Sequence, residues 1–160
     1  FDNEKKILFS TEHGPKGGDE VNLNLNPFED PVENYGWPIS SYGDHYDGRV
    51  REEAPLKKSH SEFGFVEPIK YFTPAIGISE IVYYPKERSS KGENFVIVSS
   101  LRAASVYLLK IDNDLNKILS EDRLYFGQER LRDVEYDKDN GVLFILFENT
   151  PSIGVLNIKL

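Results

Sequence analysis

The chain has no cysteine and no methionine, and only three histidines in 160 residues. Without cysteine, disulfides, thiol catalysis and cysteine-type zinc sites are excluded. The histidines, His13, His45 and His60, do not follow any metal-ligand spacing. No hydrophobic run approaches the roughly 18 residues that a membrane span needs. The formal net charge is -8, which argues against a nucleic-acid or anionic-membrane partner, since either calls for a basic face. There is no sustained helical period, no Gly-x-Gly-x-x-Gly after a strand, no P-loop and no Gly-x-Ser-x-Gly elbow. No signal peptide is visible. Methionine is missing even at position 1, so the chain reads as part of a larger protein, and the lack of cysteine suits an exported one.

Strand chemistry dominates what is present. The chain is 39% hydrophobic and 12% aromatic, with nine Tyr, ten Phe and one Trp, and aromatics suit pleated, half-buried surfaces. Lys5 to Ser10 is a short apolar run. From Glu20 to Leu25, apolar Val21, Leu23 and Leu25 alternate with Asn22 and Asn24, the period of a half-buried strand. A long region rich in Pro, Gly, Ser and charge runs from Asn26 to about Tyr71, and loops of that length are functional or locally disordered. Four strands are then expected at Ile78 to Tyr84, Asn94 to Ser100, Ser105 to Ile111 and Lys117 to Phe126. Turn signals separate them at Pro85 to Gly92, at Leu101 to Ala104 and at Asn113-Asp114. Lys86 to Lys91 falls within the first of these as a charged hairpin tip. Three more strands follow at Leu131 to Tyr136, Val142 to Phe147 and Ile153 to Ile158, with Asp139-Asn140-Gly141 turning the first pair. Four-strand units about 50 residues apart mark propeller blades. The expected fold is all-β, a single partial domain over residues 1–160 with roughly three blades. An independent β-sandwich is the alternative.

Two places carry chemistry. Between Thr11 and Pro38 a Gly-Pro pair, a Gly-Gly pair, adjacent carboxylates and a Tyr-Gly-Trp-Pro turn stand close together. Glycine permits left-handed or closely approached backbone, proline fixes φ, and Asp19 and Glu20 offer hard oxygen ligands. Neighbours in a regular strand point to opposite faces, so both carboxylates could reach one ion only from the loop side. A solvated acidic loop end is the plainer reading. The second place is Arg130 and Arg132. A spacing of two puts both guanidiniums on one strand face, where they repel unless an anion lies between them, and Asp133 falls on the other face. A planar polyanion suits them, because arginine grips carboxylates in a bidentate fork. Pairing with Glu129 or Asp122 at the surface is the alternative.

These residues resemble the glucose/sorbosone dehydrogenase family of soluble aldose dehydrogenases dependent on pyrroloquinoline quinone. The family pattern E-x-G-P-x-x-x-D-E-[IV]-N-L is met by Glu12, Gly14, Pro15, Asp19, Glu20, Val21, Asn22 and Leu23. Asn34 to Pro38 gives N-Y-G-W-P, and Arg130 to Val134 gives R-x-R-D-V. The resemblance implies the second half of a six-bladed β-propeller. It implies that the main-chain carbonyls of Gly14 and Pro15 help hold a Ca²⁺ ion that also binds the quinone, a donor type Ca²⁺ accepts. Further Ca²⁺ ligands are implied at Asp19, Glu20, Tyr35 and, by a looser match, Asp44. Arg130 and Arg132 would bind the quinone carboxylates. Arg102, where relatives carry lysine, would place a cation near the quinone oxygen. His13 borders the Gly-Pro turn and reads either as a site-lining residue or as an ordinary loop histidine. Tyr71 and Phe72 fall where relatives place aromatics near the sugar, and could equally be core.

The implied activity is oxidation of an aldose or related small alcohol, with hydride passing from C1 to the quinone. The family's catalytic histidine belongs to the first half of the propeller, so no catalytic residue is expected in this chain, which would be inactive by itself. The implied partners are the N-terminal half of the propeller and an electron acceptor, with a homodimer also compatible. The implied location is periplasmic or secreted. Two alternatives stand beside this reading. One is a non-catalytic propeller scaffold, since folds host many functions. The other is a lectin, which would call for more exposed aromatics on one rim than can be identified.

Overall fold

The structure, a computed structural model, describes residues 1–49 and 51–160. It divides into two compact units, Phe1–Ile76 and Gly77–Leu160. The first holds an antiparallel sheet of three strands in the order β1 (Leu8–Glu12), β2 (Asp19–Asn24), β3 (Lys70–Phe72). β1 begins later than the apolar run suggests. Asp2 Oδ1 accepts hydrogen bonds from the amides of Glu4 and Lys5, each at 2.9 Å, and Lys6 takes a positive φ of 57°. That turn uses up the start of the run before the strand can begin. β3, which falls at the end of the expected irregular region, is three residues long and too short to show an alternation. It is defined by its partner, with Asp19 opposite Phe72 and Glu20 opposite Tyr71.

β2 is buried on both faces, not on one. Val21 and Leu23 enter the apolar core, while Asp19 and Asn22 are fully buried and Glu20 is 5% exposed. The long segment between β2 and β3 covers this polar side. It is pinned by backbone bridges of Lys16 to Asp44 and Ser40 to Lys57, and by a short 3-10 turn at Ser61–Phe63.

The second unit follows the expected meander. β4 (Ile78–Tyr84), β5 (Asn94–Ser100), β6 (Ser105–Ile111) and β7 (Ile118–Phe126) pair in sequence order. β8 (Leu131–Asp137), β9 (Val142–Phe147) and β10 (Ile153–Asn157) make a three-stranded sheet. Inside this unit Phe95, Ile97, Val106 and Leu108 share one apolar core with Leu131, Val134, Leu143 and Ile145. The Ser79 hydroxyl donates to the Leu131 carbonyl at 2.8 Å, so a polar bond ties the two sheets beside that core.

Candidate functional site

In the first unit the Gly-Pro turn joins β1 to β2, and Asp19 holds it closed. The Gly14 amide donates to Asp19 Oδ1 at 3.0 Å, and His13 Nδ1 lies 4.0 Å from the same oxygen. Gly14 and Gly18 are required by contact, and Gly18 by φ as well. A Cβ on Gly14 would stand 1.9 Å from the Gly17 carbonyl oxygen. Gly18, at φ +72°, would put one 2.3 Å from the Gly43 amide. Two backbone segments therefore touch here with no side chain between them, which brings residues 40–43 onto the turn. Pro15 packs in the same crossing, its ring against Gly43.

A cavity of about 10 Å³ opens beside this crossing, lined by Glu12, His13, Gly14, Glu20, Tyr35 and Ser40 among others. That is room for a single water or small ion. Glu12 and Glu20 are register partners across β1 and β2, a like-charge pair that is unfavourable by itself. Burial, then the charge of Glu12, pushes the Glu20 carboxyl up to about 7, with Asn22 pulling it back in part. The Tyr35 hydroxyl donates to Glu33 at 2.5 Å. Asp44 is not drawn in. It is largely exposed, and its Oδ1 accepts the Lys58 ammonium at 2.7 Å, which lowers its pKa.

Behind Glu20 lies a network that sequence reasoning missed. His60 is fully buried, with Nε2 3.3 Å from Glu20 Oε1 and Nδ1 3.6 Å from Glu67 Oε2. Among the described residues neither ring nitrogen has a hydrogen-bond partner, so both approaches are close but misaligned. Glu67 Oε1 accepts from the amides of His60 and Ser61 and from the Ser61 hydroxyl, and Oε2 accepts from Tyr42 at 2.7 Å. Burial pushes the Glu67 carboxyl up, but these donors outweigh it and hold it at about 2. The Tyr71 ring stacks on Tyr42 with centroids 3.8 Å apart and is partly exposed. Phe72 is a core residue with the Lys70 ammonium over its ring. A histidine lying far along the chain in an irregular segment gave no pattern to read; only its nearness in sequence to Glu67 could have raised interest.

In the second unit, Arg130 precedes β8 and Arg132 lies within it. A bulge between Leu131 and Asp133 breaks the expected alternation, so Arg132 and Asp133 are both exposed. The arginines share one carboxylate, but it belongs to Glu148. Arg130 Nε lies 2.9 Å from Oε2, and Arg132 donates to Oε1 at 2.9 Å. The first contact is ionic, not a directed hydrogen bond, since Oε2 has no aligned donor among the described residues. Glu129, a partner considered from sequence, instead accepts from the amides of Asn149 and Thr150 and the Thr150 hydroxyl. Asp122 is the register partner of Leu108 in β7. Arg102 is exposed in the turn between β5 and β6, its backbone packed against Gly77.

Comparison with known proteins places this geometry. The glucose/sorbosone dehydrogenase family model matches residues 1–154. The chain belongs to that family. Over 153 residues it is 30% identical to an uncharacterised protein of Synechocystis, covering 96% of this chain and 34% of that one. It is 27% identical to the aldose sugar dehydrogenase of Escherichia coli, covering 89% and 36%. A crystal structure of a glucose dehydrogenase superposes with a TM-score of 0.76 at 28% identity, covering 99% and 43%. The pyrroloquinoline-quinone-bound aldose sugar dehydrogenase of Streptomyces coelicolor shares the fold, with a TM-score of 0.56 at 19% identity, covering 95% and 36%. These likenesses bear out the partial β-propeller reading, and the chain spans only about a third of the length of the curated relatives it matches.

In this member of the glucose/sorbosone dehydrogenase family, the residues around the Gly-Pro turn decide whether a cation fits. Among the described residues no three carboxylate, histidine or cysteine side chains are arranged to hold a metal ion. A cation seat in this chain therefore has to draw on main-chain and hydroxyl oxygens beside Glu12 and Glu20. That is the mixed hard-oxygen set that suits Ca²⁺, and a cation between the paired carboxylates would relieve their repulsion. The residues around the cavity fit such an ion, whereas Asp19 and Asp44 are engaged elsewhere. In the second unit the fork of Arg130 and Arg132 holds a carboxylate, the group a polycarboxylate cofactor would present.

Proposed function

We propose that this chain is the cofactor-side portion of a quinoprotein that oxidises an aldose sugar or related alcohol, with pyrroloquinoline quinone and Ca²⁺. One observation carries the reading: within a chain of this family, Arg130 and Arg132 converge on a single carboxylate, that of Glu148, whose place a cofactor carboxylate would take. Bound pyrroloquinoline quinone would supply the two-electron acceptor. Arg130 and Arg132 would bind and orient its carboxylates by charge-assisted hydrogen bonds. Arg102 would set a positive charge near the quinone oxygen, where negative charge gathers. Glu12 and Glu20, with the turn at Gly14 and Pro15, would seat the cation. The histidine that takes the substrate's hydroxyl proton would come from outside this chain, as would the larger part of the propeller, since the chain covers only 34% and 36% of its curated relatives. Export to the periplasm or beyond, and delivery of electrons to a separate acceptor, belong to the same proposal.

The test is reconstitution of the full-length protein with the quinone and Ca²⁺, followed by aldose-dependent reduction of a dye. The expected result is turnover that requires both additions, with Arg130→Ala and Arg132→Ala each weakening quinone binding at least tenfold. No turnover and no quinone spectrum would leave a non-catalytic propeller scaffold as the reading.

A further inference from the structure

We infer that His60 is a positioning residue for Glu20, fixing that carboxylate at the cavity beside the Gly-Pro turn. The inference rests on the reading of that cavity as a cation seat. A fully buried imidazole with two unmatched nitrogens is costly, since each unsatisfied buried polar group forfeits its hydration. Two carboxylates lie within reach, and they are not equivalent. Glu67 is spoken for: Ser61, the His60 amide and Tyr42 occupy both of its oxygens. Glu20 Oε1, 3.3 Å from Nε2, has no such set of donors. Whatever its protonation state, the buried ring carries at least one N–H. The acceptor with capacity for that N–H is Glu20.

The rest of the surroundings hold the ring in place. Glu67 clamps the His60 backbone amide at 2.9 Å, and the ring lies against Tyr42 with centroids 5.1 Å apart. Tyr42 in turn is stacked on Tyr71. His60 therefore stands on a held base, with its Nε2 edge toward a carboxylate that lines the cavity. Ligating carboxylates are commonly held by such outer partners, whose loss costs about 10- to 100-fold in metal affinity. A histidine that only filled space would have no reason to lie between two carboxylates with its nitrogens bare.

The experiment is calorimetric titration of the full-length protein with Ca²⁺, comparing wild type, His60→Phe and His60→Gln. The phenylalanine keeps the ring volume and removes the N–H; the glutamine restores a donor. The expected result is a 10- to 100-fold loss of Ca²⁺ affinity in His60→Phe, with most of it recovered in His60→Gln. A dissociation constant unchanged in His60→Phe overturns the inference while leaving the cation seat intact. A wild type that takes up no Ca²⁺ overturns both. The wild type also offers a reading free of folding defects. Saturation with Ca²⁺ should shift the imidazole ¹⁵N resonances of His60, and a ring that does not respond counts against the proposal.

Discussion

At the scale of single residues, the glycines of the turn separate two effects that sequence merges. Gly18 and Gly92 share a similar φ, +72° and +66°, but only Gly18 faces another backbone, and nothing lies within 4 Å of a Cβ on Gly92. Gly92→Ala should therefore cost about 1 kcal/mol, the strain of the left-handed conformation. Gly18→Ala should cost about 3 kcal/mol, because overpacking adds to the strain. Urea denaturation of the two variants measures the difference. Equal losses would mean that the crossing of residues 14–18 with 42–43 is not tight. Glu67 gives a second expectation. Its carboxyl is held at about 2, against 4.5 for an ordinary glutamate. A depressed folded pKa contributes stability that is complete above 4.5 and is lost as pH falls toward 2. The melting-temperature gap between wild type and Glu67→Gln should therefore be widest above pH 5 and close by pH 2. A gap that widens on acidification would contradict the hydrogen-bond set assigned to this carboxylate. The glycine pairs and Asp19-Glu20 were legible because adjacency in sequence carries them. His60 and Glu67 were not, because chain reversal over forty residues brings them to Glu20.

At the scale of elements, the strands of the second unit were readable and β3 was not. β4, β5, β6 and β9 have the ends that their apolar periodicity and turn residues suggest. Their signals are local: each run is long enough to show its alternation. β3 has three residues and exists because β2 offers it an edge. The arginine pair shows a second limit. A period of two placed Arg130 and Arg132 on one face, but a β-bulge, which inserts an extra residue and re-aims side chains, falls at Arg132, between Leu131 and Asp133. They nevertheless converge, on Glu148 at the end of β9, a residue that sequence spacing could not single out. Its removal has a definite expected result. The arginine side chains are about half exposed, so solvent screens the pair and Glu148→Gln should cost no more than about 1 kcal/mol. The loss should shrink between 0.05 and 0.5 M salt, because what is left is repulsion between two exposed cations. Thermal melts at the two salt concentrations would decide it, and a loss that does not change with salt would assign Glu148 a packing role instead.

At the scale of the whole molecule, the outer face of the β8–β10 sheet sets what the chain does by itself. Leu143 and Ile145 of β9 turn into the core, while Phe144 and Leu146 alternate with them and remain partly exposed. Their register partners Val155 and Ile153 are more exposed still, at 62% and 66%. Asp133 and Glu135 lie beside this row, so the face is apolar with an acidic edge. The matched relatives are more than twice as long as this chain, and a propeller covers such faces with neighbouring sheets. A contiguous apolar patch on a soluble chain is a surface for association. The 160-residue chain prepared alone should therefore bind a hydrophobic dye strongly and elute larger than a monomer. Leu146→Lys with Val155→Lys should cut both effects severalfold without loss of the sheet, since neither residue reaches the core. Dye fluorescence, size-exclusion chromatography and far-ultraviolet circular dichroism together make the check. If the double variant binds dye as the parent does, the exposed row is not what makes the isolated chain sticky, and the long segment with exposed Phe28, Val32 and Trp37 becomes the place to look.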